Sequence, residues 1–249
     1  YLYAHKTKIM SDKLVIIPTY NEKENIEAII RAALSVDEAF DVLIVDDSSP
    51  DGTNDIVKRL IPEFNGRLHL EIRTTKDGLG RAYVHGFKWA LANNFEYIFE
   101  MDADFSHNPK DLPRLYQALI DGADLAIGSR YSNGVNVVNW PMNRVLMSYF
   151  ASKYVRIITN LPVHDATAGF VGYRANVLST LDLAEIQFKG YGFQIEMKYK
   201  TWIKKFKLKE VPIIFTDRTL GESKISSDII GEAVFGVISL RLRNMFGKL

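Results

Sequence analysis

Apolar and polar positions along the chain keep switching between two periods. Residues 14–17 (Leu-Val-Ile-Ile) form a short β-branched run closed by Pro18, and residues 42–45 repeat the pattern before Asp46 and Asp47. Short apolar runs bounded in this way predict buried strands. Between them Ile26, Ile29, Ile30, Ala33 and Leu34 recur at helical spacing after Asn21, a residue able to cap a helix. Residues 48–52 are turn chemistry, followed by a helix to about Ile61. The rhythm continues with a strand near 68–73, a helix near 81–93, a strand at 97–101, a helix after Pro109 and a strand at 125–127. Alternation of this kind predicts an α/β fold with a mostly parallel sheet flanked by helices.

After Arg130 the rhythm changes. Residues 143–160 read as a long helix carrying Arg144, Lys153 and Arg156, and 168–173 and 211–215 read as strands. A last amphipathic helix is expected from about Asp228 to Phe246, with an apolar stripe running from Ile229 to Phe246 beside Arg241 and Arg243. The stripe either packs on the core or lies in a membrane interface. No repeat or low-complexity linker divides the chain. The expectation is one catalytic domain over 10–226, an amphipathic C-terminal segment over 227–249, and an extension outside the fold at 1–9.

Charge adds one contrast. Lys and Arg number 31 against 30 Asp and Glu, a net charge of +1, which disfavours a general nucleic-acid coat. Yet residues 198–249 carry 11 basic and 5 acidic residues. That excess suits a solvated face, an anionic partner or a membrane surface. Cysteine is absent, so disulfides and cysteine-ligated metals are excluded. No apolar run approaches the roughly 20 residues needed to span a bilayer.

Ligands of open parallel sheets bind beyond the carboxyl ends of the strands. Pro18-Thr-Tyr-Asn-Glu22, Asp46-Asp-Ser-Ser-Pro-Asp51 and Asp102-Ala-Asp-Phe-Ser-His107 each fall at such an end. Like charges gathered on one rim repel unless something cationic or hydrogen-bonding fills the space. Asp102 and Asp104, read as neighbours in an extended stretch, would point the same way and suit Mg²⁺ or Mn²⁺. The plainer reading of Asp104 is a cap for the helix after Pro109. Glu22 is equally at home in a first helical turn, and His107 and His164-Asp165 also fit turn chemistry.

These clusters, with Gly128-Ser-Arg-Tyr131, resemble the family 2 glycosyltransferases of the GT-A fold. Asn139-Trp-Pro141 with Arg144, Ala168-Gly-Phe170, Gly192-Phe-Gln-Ile-Glu196 and Phe215-Thr-Asp-Arg-Thr-Leu-Gly-Glu-Ser-Lys224 narrow the resemblance to the dolichol-phosphate (polyprenol-phosphate) mannose synthases. The resemblance implies inverting transfer of mannose from GDP-mannose to a polyprenyl monophosphate, dependent on Mg²⁺ or Mn²⁺. It places Pro18, Tyr20, Glu22, Val45 and Asp47 around the base and ribose, and Asp102, Ala103 and Asp104 at metal and diphosphate. Ser106 stands in the third metal-ligand position, where some relatives carry Gln. Arg130, Arg144, Arg218 and Lys224 become the cations for donor and acceptor phosphates. Asp104, Arg130, Arg144 and Arg218 are the catalytic candidates. Gln194 stands where some relatives carry Lys and receives no charge role. The implied place is the cytoplasmic face of a membrane, peripherally held, and the need for a membrane subunit is left open.

The chemistry suits these residue types. A departing diphosphate needs cations, and a lipid monophosphate is already a nucleophilic anion, so no general base is required. The alternatives are a polyprenyl-phosphate glucosyltransferase or another family 2 enzyme using a UDP-sugar, a dinucleotide-binding oxidoreductase hinted at by Gly78-Leu-Gly80, and a non-catalytic interaction module.

Overall fold

The computed structural model describes residues 11–36, 39–190, 192–218 and 227–247, and side chains within these except 227–234. A seven-stranded sheet has the order β3-β2-β1-β4-β7-β5-β8. Its strands are β1 (Lys13–Thr19), β2 (Asp41–Asp46), β3 (Leu68–Ile72), β4 (Tyr97–Glu100), β5 (Leu125–Ser129), β7 (Val171–Arg174) and β8 (Leu208–Pro212). The helices are α1 (Ile26–Leu34), α2 (Thr53–Leu60), α3 (Leu79–Ala92), α4 (Leu112–Ile120), α5 (Met142–Thr159), α6 (Ala175–Thr180), α7 (Gly192–Ile203) and α8 (Ser227–Met245). A two-stranded ribbon pairs β6 (Val137–Val138) with β9 (Phe215–Thr216). The central strands are apolar on both faces, as parallel strands covered by helices must be: every residue of β2 and β4 is buried. One apolar cluster lies on the α3 and α7 face and the other on the α1 and α4 face.

The sheet is parallel except at β7, which runs antiparallel to both β4 and β5. That reversal matters for function. Val171 opens β7 opposite Glu100 and Ile127, so the chain that precedes it, residues 160–170, arrives at the rim where β4 and β5 end.

Several sequence expectations need correction. Residues 211–215 are not one strand: β8 ends at Pro212, which has no N–H to continue a ladder, and Phe215 joins the separate ribbon. Asn21 does not cap α1; it adopts φ 56° and Asn25 holds the N-cap position. Asp102 and Asp104 do not lie in an extended stretch, because β4 ends at Glu100 and the chain turns through Phe105 at φ 61°. The Gly78-Leu-Gly80 pair is not a dinucleotide loop. A Cβ at Gly78 would lie 2.8 Å from the Lys189 carbonyl oxygen, and one at Gly80 2.7 Å from that of Phe188. These glycines admit a neighbouring chain.

Candidate active site

The donor side is built on main-chain geometry. Asp46 at the end of β2 is wholly buried, and its carboxylate accepts from Thr19 Oγ1 (2.9 Å), Ser49 Oγ (2.6 Å) and Ser49 N (2.9 Å). This knot fastens the loop after β1 to the loop after β2. Thr53 accepts from Glu22 N at 3.0 Å, and Asp51 accepts from Thr53 Oγ1 at 2.6 Å. Glu22 itself accepts from Asn25 Nδ2 at 3.2 Å and lies near enough to Asp102 to raise its pKa. Asp47 is buried, and burial pushes its pKa up although Arg73 approaches it at 3.4 Å. That approach is to Asp47 Oδ1, which is ion-paired with Arg73 Nε but takes no hydrogen bond from the described residues. The Lys76 ammonium sits 3.7 Å from the centroid of the Tyr20 ring. Pro18 lies half-buried at the end of β1. Val45 is fully buried, with its side chain in the core. Arg73 and Lys76 carried no sequence signal; only the parallel register of β3 beside β2 brings that loop to the pocket.

Beyond β4, Ala103 and Asp104 are buried. Asp104 Oδ1 accepts from Ser106 Oγ at 2.6 Å and Ser106 N at 3.1 Å, so it stiffens its own turn and caps no helix. Asn108 is the residue that caps the turn at Pro109–Asp111. Asp104 Oδ2 meets Arg218 Nη2 at 2.7 Å. Burial works against the Asp104 charge, but the Ser106 bond and Arg218 outweigh it and hold the pKa below its ordinary value. Ser106 is thus engaged in orienting Asp104. Asp102 shifts the other way, raised by the protein crowded around it and by Asp104, with His107 opposing. His107 is buried, which lowers its pKa. Its Nδ1 accepts from the Asp102 N–H at 3.2 Å, so the ring proton lies on Nε2. The ring stacks on Phe170 at 5.0 Å.

Arg130, Arg144 and Arg218 share one feature: each touches its own aspartate. Arg130 is buried and forks onto Asp165 with Nε–Oδ2 and Nη2–Oδ1 both at 2.7 Å, and Nη2 also donates to Thr167 at 2.8 Å. Asp165 is in turn fixed through its N–H by Glu210, at 2.9 Å. Arg144, at the start of α5, bonds Asp217 at 2.8 Å and lies 4.2 Å over the Trp140 ring. Arg218 is on Asp104. The buried Trp140 Nε1 has no acceptor among the described residues. Sequence reasoning gave Asp217 and Trp140 no role of their own, and Lys224 lies outside the described residues. The structure therefore brings Asp104, Arg218, Asp102 and Glu22 to one rim, with Arg144 joined through Asp217.

Residues 14–182 match the sequence model of glycosyl transferase family 2. The chain belongs to glycosyltransferase family 2. Within that family it is 45% identical over 235 residues to the polyprenol monophosphomannose synthase of Mycolicibacterium smegmatis, covering 94% of this chain and 89% of that one. It is 47% identical over 224 residues to the undecaprenyl-phosphate mannosyltransferase of Micrococcus luteus, covering 90% and 91%. The fold matches glucosyl-3-phosphoglycerate synthase from Mycobacterium tuberculosis, solved with Mn²⁺, UDP and glucosyl-3-phosphoglycerate. That match has a TM-score of 0.66 at 19% identity over 94% of this chain and 79% of that one. As a family 2 glycosyltransferase the chain is an enzyme of the GT-A type, and the mixed seven-stranded sheet is its frame.

Proposed function

We propose that this chain transfers mannose from GDP-mannose to the monophosphate of a polyprenyl lipid, inverting the anomeric centre, with Mg²⁺ or Mn²⁺. The observation that carries the reading is the Asp104–Arg218 contact on the carboxyl-end rim. It joins the carboxylate turn after β4 to a guanidinium able to fork onto phosphate. The names of the two mannosyltransferase relatives support the sugar and the lipid class.

The residues fit a divalent cation with few protein ligands. Among the described residues no cluster of three or more His, Cys, Asp or Glu is arranged as a closed metal site. Asp102 and Asp104 would supply carboxylates, with diphosphate oxygens and water completing a shell of hard oxygen ligands. Arg218 already places positive charge against Asp104 Oδ2. When bound, the cation neutralises charge on the departing diphosphate. Asp47, one oxygen of which takes no hydrogen bond from the described residues, offers an acceptor to ring N–H groups of the base.

In the displacement, an oxygen of the lipid phosphate forms a bond to the sugar's anomeric carbon as the bond to the diphosphate breaks. The nucleoside diphosphate leaves with the electron pair, and no proton need move. Arg218 and Arg144 draw the two anionic phosphates together, while Arg130 orders the loop beside them.

The lipid acceptor calls for a membrane face, and α5 and α8 supply one as they pack on each other. In α5, Met142, Met147, Phe150 and Ile157 are exposed, as are Phe235, Met245 and Phe246 at α8 and just beyond it. Val237 and Leu240 of the same helix are buried, so one side docks and the other is left for lipid. Gly236 makes the docking close, since a Cβ there would lie 2.2 Å from the Phe188 ring. Among the described residues no helix is long and apolar enough to cross a membrane. On this reading catalysis falls to 10–226, the lipid-facing role to 227–249 together with α5, and the enzyme sits peripherally on the cytoplasmic membrane face.

The test is thermal stabilisation by sugar nucleotides with and without Mn²⁺, followed by radiolabelled transfer to polyprenyl phosphate in vesicles. GDP-mannose at 100 times its Kd should stabilise by about 2.7 kcal/mol. Stabilisation by UDP-glucose and not GDP-mannose replaces the donor with a UDP-sugar.

A further inference from the structure

Behind the rim lies a buried charged network that the transfer step does not use. Lys198 on α7 and Glu100 at the end of β4 are both fully buried. Gln194, one turn before Lys198, joins them: its Nε2 donates to Glu100, and its Oε1 accepts from Lys198 Nζ at 3.3 Å. Tyr173 Oη donates to the other Glu100 oxygen at 3.2 Å. The shortest measured contact of Lys198 points elsewhere. Its Nζ donates to the Ala168 carbonyl at 2.6 Å, and to the Gln194 carbonyl at 3.2 Å.

Taking an ammonium and a carboxylate out of water is unfavourable even for a good pair, and apolar side chains of similar volume are often no worse. The position of Ala168 suggests what the ammonium does there. On one side Thr167 accepts from Arg130 at 2.8 Å, and Asp165 holds the Arg130 fork. On the other side Phe170 stacks on His107, whose Nδ1 accepts the Asp102 N–H. Gly169, between them, has nothing but His107 Cε1 near its Cβ position, at 3.6 Å.

We propose that Lys198 is a positioning residue: seated on the Ala168 carbonyl and on Gln194, it fixes residues 165–170 so that the Arg130 fork and the His107–Asp102 turn keep one relative placement. Gln194 carries the same restraint to β4 through Glu100. The inference rests on the transferase reading and adds to it a tie between the donor turn and the acceptor loop.

Burial is the main influence on both partners: it lowers the Lys198 pKa to about 8 and raises that of Glu100 to about 8, while Glu100, Asp165 and Glu210 favour the Lys198 charge and Arg130 opposes it. Tyr173 faces the pair from β7 through Glu100. The ammonium form therefore predominates below about pH 8 and is lost as the pH rises through it.

The experiment compares wild type with Lys198→Met in mannose transfer from pH 6.5 to 9.5, alongside calorimetric binding of GDP-mannose. Wild-type kcat should fall on the alkaline side. Lys198→Met should lose on the order of 10-fold in kcat, bind nucleotide within about 3-fold, and show no alkaline fall. If the single variant does not fold, Glu100→Gln with Lys198→Met removes both buried charges and is read in the same way. An NMR titration of wild type and Glu100→Gln covers the case where neither folds: the Gly169 amide nitrogen, bonded to the Ala168 carbonyl carbon, should shift with a midpoint near pH 8 in wild type and still titrate, at lower pH, in Glu100→Gln, where Lys198 is the group left to titrate. Unchanged kcat and pH profile in a folded variant, or a Gly169 signal indifferent to pH, overturns the proposal. Absence of transfer by wild type with any sugar nucleotide would sink the transferase reading instead, and the Gly169 titration would still decide the tie.

Discussion

The two sides of the rim are held by different forces. On the donor side, Asp46 accepts from Thr19 and Ser49 under complete burial, and Glu22 N–H rests on Thr53. These are hydrogen bonds between loops that leave parallel strands in register. On the acceptor side, Arg130, Arg144 and Arg218 lean on Asp165, Asp217 and Asp104 across long sequence separations. Even these contacts are unequal. The Arg130 fork has side-chain exposures of 9% and 0%, whereas Arg144–Asp217 has 28% and 27%. A buried pair is a fixture; a partly exposed pair is screened by water and weaker. Arg130 is thus a fixed cation, while Arg144 and Arg218 stand in pairs more open to water.

The largest expected effect separates fixture from screened pair. Asp165→Ala leaves Arg130 buried without its counter-ion, which should lower stability by about 3–5 kcal/mol. Asp217→Ala should lower it by less than about 1 kcal/mol, because water screens that pair. Urea unfolding midpoints of the two variants test the contrast, and comparable losses would erase it.

Next in size is Asp104→Asn, which keeps the shape and removes one charge. Transfer should fall on the order of 100-fold with the fold intact. Near-normal turnover in the folded variant would reduce Asp104 to a residue that merely stiffens its turn with Ser106. Arg218→Lys follows, with a loss on the order of 10-fold in turnover and a smaller change in nucleotide affinity, since charge is retained and the fork is lost. A larger loss in nucleotide binding than in turnover would move Arg218 to the donor side.

The same contrast explains what the sequence disclosed. Strands up to β5 are short runs rich in apolar residues, and their helices have one apolar face, so periodicity finds them. Asp46, Asp47, Asp102 and Asp104 stand at strand ends, where chemistry concentrates. Past Arg130 local pattern loses its hold. Ten of the twelve residues of α7 are buried, among them Gln194, Glu196, Lys198 and Lys200, so a core helix reads as a polar segment. Glu196 is there to accept from the Gln187 and Phe188 N–H groups at 2.9 and 3.0 Å. The reversal of β7 and the pairing of each arginine with a distant aspartate are tertiary facts with no local signature. The C-terminal stripe, which fits core or lipid equally by its spacing, divides: Val237 is buried, whereas Leu242 and Met245 of the same stripe are exposed.

The smallest effect tests the outer edge of the acceptor side, where α5 and α8 face away from the core. Phe150 is 56% exposed and Arg241 is half-buried. If these helices meet lipid, Phe150→Ser should weaken vesicle binding severalfold regardless of lipid charge, because it removes apolar area from the interface. Arg241→Gln should weaken binding to anionic vesicles by about 1 kcal/mol, the contribution of one basic residue near such a surface. On neutral vesicles Arg241→Gln should have no effect, and salt at 1 M, where the Debye length is about 3 Å, should abolish it on anionic ones. Neither variant should alter GDP-mannose binding, because neither residue belongs to the rim. Flotation of the purified variants with vesicles of each composition gives the comparison directly. If the two losses respond to lipid charge and salt alike, α5 and α8 act only as a charged surface. If both variants float like wild type, the exposed apolar face belongs to a protein partner.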